Sequence, residues 1–226
     1  MAQKTRGDKF TIFISKPGEG YDNHSAHIIP KRNHDKLSSS FLLENPEYFF
    51  KWSVHVDTPL TNTGQCVNNL QSYTSMYMIN FEYPESVGCT KFLSLIDLYN
   101  NCPIEFKEKL IGSTIEEWKS NETQLLNLWQ PFHLHPITQE KIMFWPSWWV
   151  KLHGKEEPWF DDLINWVRLY LSDKDNWFRW SWKKGDFLMF DNRSLVHSFE
   201  NGWDPNKRVF SQGGISGKPP IELKVI

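Results

Sequence analysis

Apolar and polar positions alternate in short stretches near both ends of the chain and follow a helical repeat in its middle. Residues 9–15 (KFTIFIS) alternate and predict a strand. Residues 65–82 are rich in β-formers with partial alternation and predict one or two more. Residues 92–100 and 103–118 read as helical, and Pro103 suits a helix first turn. The strongest helix covers 158–171: Pro158 opens it, Asp161 and Asp162 sit at its positive end, and Leu163, Val167 and Leu171 repeat every four residues. Beyond it the pattern turns β. Gly185-Asp186 predicts a turn, Phe187 to Phe190 a short buried strand, and 207–216 and 221–226 closing strands. Residues 17–40 are polar and read as a loop; whether it covers a site is not legible. Strands at both ends with helices between predict a mainly β fold with flanking helices, an antiparallel sandwich or barrel.

Composition narrows the function classes. A chain of 226 residues suits one domain, 1–226, with a sizeable core. Net charge is −2 and no basic block stands out, which argues against a nucleic-acid polymer or a membrane surface as partner. With 12 Trp and 16 Phe, the core is expected to be built from large aromatic groups. The three cysteines, Cys66, Cys89 and Cys102, are odd in number and form no CxxC pair. That argues against a disulfide framework or structural zinc and for a reducing, cytoplasmic setting. The N-terminus lacks the apolar stretch of a signal peptide, and no apolar run is long enough to span a membrane. Oligomeric state is not legible.

The chemistry lies in three features. His55-Val56-Asp57 places an imidazole and a carboxylate two residues apart, on one face of an extended segment. His197 ends a predicted strand, and Arg208 opens the next. Two histidines and one carboxylate on one face of a metal leave three positions open, the arrangement of non-haem Fe(II) oxygenases. A planar guanidinium nearby can grip the distal carboxylate of a 2-oxo acid. An HxD pair alone is a weak signal, and its bland reading is a surface His beside a turn Asp; the surrounding elements raise it. A competing pattern, His133-x-His135 with Glu140, imitates a cupin metal motif, but Asn127 and Ser147 stand where that motif has glycines. A turn histidine beside Pro136 is the preferred reading there. Trp145, Trp148 and Trp149 could stack on a ligand, but core is favoured; Trp177, Trp180 and Trp182 are expected to cover a sheet face. Asp191 and Arg193 are expected to pair and hold the strand of His197. The cysteines have no visible base partner and carry no nucleophilic role.

Residues 182–217 resemble the C-terminal signature of the taurine dioxygenase-like (TauD/TfdA) family of Fe(II)/2-oxoglutarate oxygenases. The matching residues are Trp182, Gly185-Asp186, Asp191-Asn192-Arg193, His197 and Arg208. Residues 81–98 resemble the family's stretch in which a Thr follows a Gly-rich turn, here Gly88-Cys89-Thr90, and His135-Pro136 resembles its His-Pro turn. The resemblance implies a double-stranded β-helix, or jelly roll, of the clavaminate synthase-like class. It implies Fe(II) held by His55, Asp57 and His197, and 2-oxoglutarate as cosubstrate with its far carboxylate on Arg208 and Thr90. It also implies O2 as oxidant, with succinate, CO2 and a hydroxylated small-molecule substrate as products. Asp57 is the carboxylate that related halogenases lack, so hydroxylation, or a desaturation or cleavage following it, is expected. Where the taurine enzyme has a second Arg for its acidic substrate, this chain has Gln212. Gln212 is therefore a candidate substrate residue, and a strongly acidic substrate is disfavoured. The alternative is a non-catalytic jelly-roll or cupin-like binding module with an aromatic ligand pocket. Substrate identity is not legible.

Overall fold

The computed structural model describes residues 3–4, 10–13, 54–57, 72–84, 87–118, 125–145, 150–199, 207–215 and 221–222. The expected loop at 17–40, the first part of the 65–82 stretch, Cys66, Trp148, Trp149 and residues 223–226 lie outside them.

Among the described residues the strands form four antiparallel sheets. The first has the order β1 (Gln3–Lys4), β2 (Phe10–Phe13), β13 (Arg208–Ile215), β3 (Tyr73–Phe81), β11 (Phe187–Asp191). The second is β10 (Phe178–Trp180), β4 (Thr90–Ser94), β12 (Leu195–Phe199). The third is β14 (Ile221–Glu222), β7 (Phe132–Leu134), β8 (Lys141–Met143), and the fourth is β6 (Leu125–Trp129), β5 (Ile115–Trp118), β9 (Val150–Leu152). Strands from both ends of the chain meet in the first sheet, where β2 pairs with β13. Among the described residues three α-helices lie between: α1 (Leu95–Asn101), α2 (Ile104–Leu110) and α3 (Pro158–Ser172). None is long and apolar enough to cross a membrane. The architecture is mainly β with flanking helices, as the pattern predicts.

β4 is the hinge of the packing, because strand side chains alternate between faces. Phe92 enters an aromatic and Met cluster with Met76 and Met78 of β3, Phe190 of β11 and Phe210 of β13. This cluster joins the inner faces of the first two sheets. The next residue, Leu93, turns the opposite way, into the larger core with Val196, Leu95, Leu98 and the buried stripe of α3. That stripe is Phe160, Leu163, Val167 and Leu171, which contains the predicted four-residue repeat. Trp145 is core, as favoured from sequence.

Three expectations need correction. Residues 92–94 are strand, not helix. The helix starts only after Ser94, whose hydroxyl accepts from the Asp97 amide at 3.0 Å and caps the first turn. The apolar run is ambiguous in isolation, and pairing with β10 on one side and β12 on the other decides it. Residues 103–118 are not one helix. α2 ends at Leu110, Gly112 takes φ +73°, and β5 follows. Finally, β11 is not buried throughout. Phe190 packs inward while Phe187 and Met189 are 62% and 54% exposed, the alternation of a strand with one open face. The Gly185-Asp186 turn is present, with φ +90° at Gly185 and the Asp186 carboxylate accepting from the Lys183 amide at 2.8 Å.

Candidate metal centre and anion anchor

The two histidines meet because their backbones pair. His55 N donates to His197 O at 3.0 Å and His197 N donates to His55 O at 2.9 Å. Residues exchanging both bonds in an antiparallel pair carry their side chains on one face. The rings accordingly lie 4.2 Å apart, centroid to centroid. Asp57, two residues beyond His55, points to the same face. Its Oδ1 is 3.8 Å from His55 Nε2 and 3.7 Å from His197 Nε2. One ligand atom from each of the three residues lies within 4.8 Å of the others, inside the reach of one cation. The side chain of His197 is 8% exposed and that of His55 42%, so the cluster opens on one side only.

The carboxylate is held by its other oxygen. Thr74 Oγ1 donates to Asp57 Oδ2 at 2.7 Å, and Gln212 Nε2 donates to the same oxygen at 3.0 Å. That leaves Oδ1 as the atom turned toward the imidazoles. The backbone of Asp57 is clamped as well: its N–H donates to Asn192 Oδ1 at 2.9 Å, and Asn192 Nδ2 donates to its carbonyl at 2.8 Å. Thr74 and Asn192 sit on the first sheet side, so the centre is braced across both sheets. Sequence reasoning assigns no role to either. Asn192 lies inside the Asp-Asn-Arg run and could have been suspected, whereas Thr74 shows no signal. Gln212, the candidate substrate residue, is turned to Asp57 through its amide nitrogen.

Asp191 and Arg193 do pair. Arg193 Nε and the Arg193 amide both donate to Asp191 Oδ1, at 2.8 and 2.9 Å. The other oxygen of Asp191 is 2.9 Å from His135 Nε2. His135 Nδ1 accepts from the Thr138 amide at 3.1 Å, which fixes the proton on Nε2 and makes that nitrogen the donor to Asp191. The turn histidine thus has a structural partner, and His133 is committed elsewhere, with Nε2 2.7 Å from the Gln130 carbonyl. The cupin-like pattern does not converge. Burial tends to raise the Asp191 carboxyl, but hydrogen bonds from Arg193 and His135 outweigh it and hold the pKa below its ordinary 3.8.

Arg208 and Thr90 come together from β13 and β4. Arg208 is 4% exposed; its Nε donates to the Gly88 carbonyl at 3.1 Å and its Nη2 to Thr90 Oγ1 at 3.3 Å. Burial lowers its pKa to about 10, which still leaves it charged at neutral pH. A buried guanidinium of this kind gains strongly from an approaching carboxylate. Trp182, itself fully buried, donates through Nε1 to Thr90 Oγ1 at 2.9 Å. Cys89 and Cys102 are buried and in no disulfide, and burial pushes Cys102 up to about 11, which keeps it unreactive.

Comparisons with known proteins bear on the family and the fold. Residues 68–212 match the family model described as taurine catabolism dioxygenase TauD, TfdA family. The match includes Thr90, His197, Arg208 and Gln212, while His55 and Asp57 precede it. An alkylsulfatase of Acinetobacter baylyi is 27% identical over 85 residues, covering 38% of this chain and 27% of that protein. A taurine dioxygenase from Burkholderia xenovorans superposes with a TM-score of 0.60 at 15% identity, over 75% of this chain and 60% of that one. The structure of AAD-2 in complex with Mn(II) and N-oxalylglycine gives 0.60 at 17% identity, over 75% and 69%. At these identities the structures show a shared fold, and the chain spans less than two thirds of the alkylsulfatase and of the taurine dioxygenase. The family match covers well over half of the sequence, and the chain belongs to the TauD/TfdA dioxygenase family.

Proposed function

We propose that this protein is an Fe(II)- and 2-oxoglutarate-dependent dioxygenase that hydroxylates an unactivated C–H bond of a small molecule, releasing succinate and CO2. The observation that carries it is the convergence of His55, Asp57 and His197, with one Asp57 oxygen tied back and the other presented. Two imidazoles and one carboxylate suit Fe(II) and leave positions for a 2-oxo acid and O2. With that metal bound, 2-oxoglutarate and O2 supply the oxidising power through decarboxylation.

The chain's own residues then have separable tasks. His55, Asp57 and His197 are the metal ligands. Thr74, Gln212 and Asn192 keep Asp57 in one orientation, which raises metal affinity. Arg208 and Thr90 hold the distal carboxylate of 2-oxoglutarate. Phe92 and Phe190, whose rings lie 6.1 and 5.1 Å from that of His197, keep water from its inner side. Because Gln212 is neutral and its amide nitrogen is used on Asp57, it brings no positive charge for an acidic substrate; its carbonyl oxygen is the part we assign to substrate. The fold is read as a double-stranded β-helix in one domain over 1–226, supported by the pairing of strands from both chain ends. The free thiols support a cytoplasmic setting.

The test is anaerobic addition of Fe(II) and 2-oxoglutarate. The expected result is a weak visible charge-transfer band, with succinate forming once air is admitted. His55→Ala should abolish both. No band and no succinate in the unaltered protein would favour the binding-module reading.

A further inference from the structure

We infer that Trp182 fixes the Thr90 hydroxyl as a one-way donor, so that the anchor site selects an ionised carboxylate and rejects its neutral amide counterpart. The inference rests on the dioxygenase reading above and extends it to how the cosubstrate is recognised.

A threonine hydroxyl has two acceptor lone pairs and one proton. At Thr90 Oγ1 one lone pair takes the indole N–H of Trp182 at 2.9 Å, and the other takes the Arg208 guanidinium at 3.3 Å. Indole and guanidinium can only donate. The hydroxyl proton must therefore point away from both. Next to Thr90, the Nε1 of Trp180 is buried with no hydrogen-bond partner. Trp180 pairs with Thr90 in register, so the two side chains share a face. The Gly88 carbonyl already receives Arg208 Nε at 3.1 Å. The groups fixed at Thr90 are thus donors, its own proton and the Arg208 N–H groups, with the buried indole of Trp180 on the same face of the sheet. A carboxylate, which only accepts, satisfies them. An amide of the same shape has one acceptor oxygen in place of two and turns an NH2 toward these donors, and an unmatched buried polar group is costly. Trp182 never touches the ligand in this account and is a positioning residue.

The experiment titrates Fe(II)-loaded protein under argon with three probes: 2-oxoglutarate, its 5-amide, and 2-oxopentanoate, which lacks the distal carboxylate. Binding is read from the charge-transfer band and by calorimetry. The unaltered protein should prefer 2-oxoglutarate to the amide strongly. Trp182→Phe frees a lone pair on Thr90, so affinity for 2-oxoglutarate should fall roughly tenfold and the preference over the amide should narrow. Affinity for 2-oxopentanoate should not change. In a Thr90→Val background, Trp182→Phe should have no further effect on the preference. Thr90→Ser and Thr90→Val carry the same test with the indole intact, should Trp182→Phe fold poorly: the preference should persist with Ser and narrow with Val. An unchanged preference in Trp182→Phe, or equal weakening of 2-oxopentanoate, would overturn the inference. Absence of any 2-oxoglutarate binding in the unaltered protein would overturn the functional reading itself.

Discussion

At the scale of single residues, the proposed centre depends on which oxygen of Asp57 faces the two imidazoles. Thr74 and Gln212 both donate to Oδ2, so removing either lets the carboxylate rotate. Thr74→Val keeps the volume and loses the 2.7 Å bond. Metal affinity should fall by about 10- to 100-fold while the fold survives, measured by Co(II) titration and circular dichroism. An affinity equal to the parent's would show that the tie is dispensable. Arg208 offers a second test. Lysine preserves charge there but not the fork that reaches both the Gly88 carbonyl and Thr90. Arg208→Lys should weaken 2-oxoglutarate about tenfold or more in the anaerobic titration, with metal binding unaffected. Thr74 is not legible from sequence, and Asn192 only as part of the Asp-Asn-Arg run, because what they do depends on contacts 17 and 135 positions away from Asp57. The pair His55 and Asp57 was legible because alternation in a strand is a local rule. That His197 would face them needed the family resemblance, since nothing local pairs residues so far apart.

At the scale of elements, the same distinction explains which segments the pattern predicts. α3 is set by its own four-residue repeat, and the structure buries the residues of that repeat. β4 and β5 are set by neighbours. β4 is a central strand between β10 and β12, and β5 lies between β6 and β9, with Glu117 buried against the Trp129 indole at 2.7 Å. A charged residue inside a strand reads as helix surface until its partner is known. The cap at Ser94 matters more than its size suggests, because it fixes where β4 ends and α1 begins. Ser94→Ala should cost about 1 kcal/mol of stability by denaturant titration, with Thr90 still in place. The Asp191–Arg193–His135 link ties β11, the following turn and the segment after β7. Since the Asp191 pKa is lowered on folding, its contribution is present above the unfolded value of 3.8 and is lost as pH falls below it. Asp191→Asn should therefore destabilise the protein by about 1–3 kcal/mol at pH 7 and flatten the loss of stability below pH 4. An acid titration of the denaturation midpoint in both proteins checks this.

At the scale of the whole molecule, the proposed ligands would bridge parts of the chain that are far apart in sequence. A metal held by His55, Asp57 and His197 would join the 54–57 segment to β12, and the proposed anchor would join β4 to β13. Anything that binds the folded state alone must stabilise it by mass action. Mn(II) with 2-oxoglutarate, each at 100 times its dissociation constant, should contribute about 2.7 kcal/mol per ligand. For a chain of this length each kcal/mol moves the melting temperature by about 2–4 °C, so each ligand should raise it by roughly 5–10 °C. The two contributions should separate by variant. Arg208→Lys should keep the rise from Mn(II) and lose about half or more of that from 2-oxoglutarate. His197→Ala should lose both, because in the proposed reading the metal would hold part of the cosubstrate. Differential scanning calorimetry on the three proteins decides it. If 2-oxoglutarate stabilises His197→Ala as well as it does the parent, the anion site works without the metal, and the two halves of the centre are not one site.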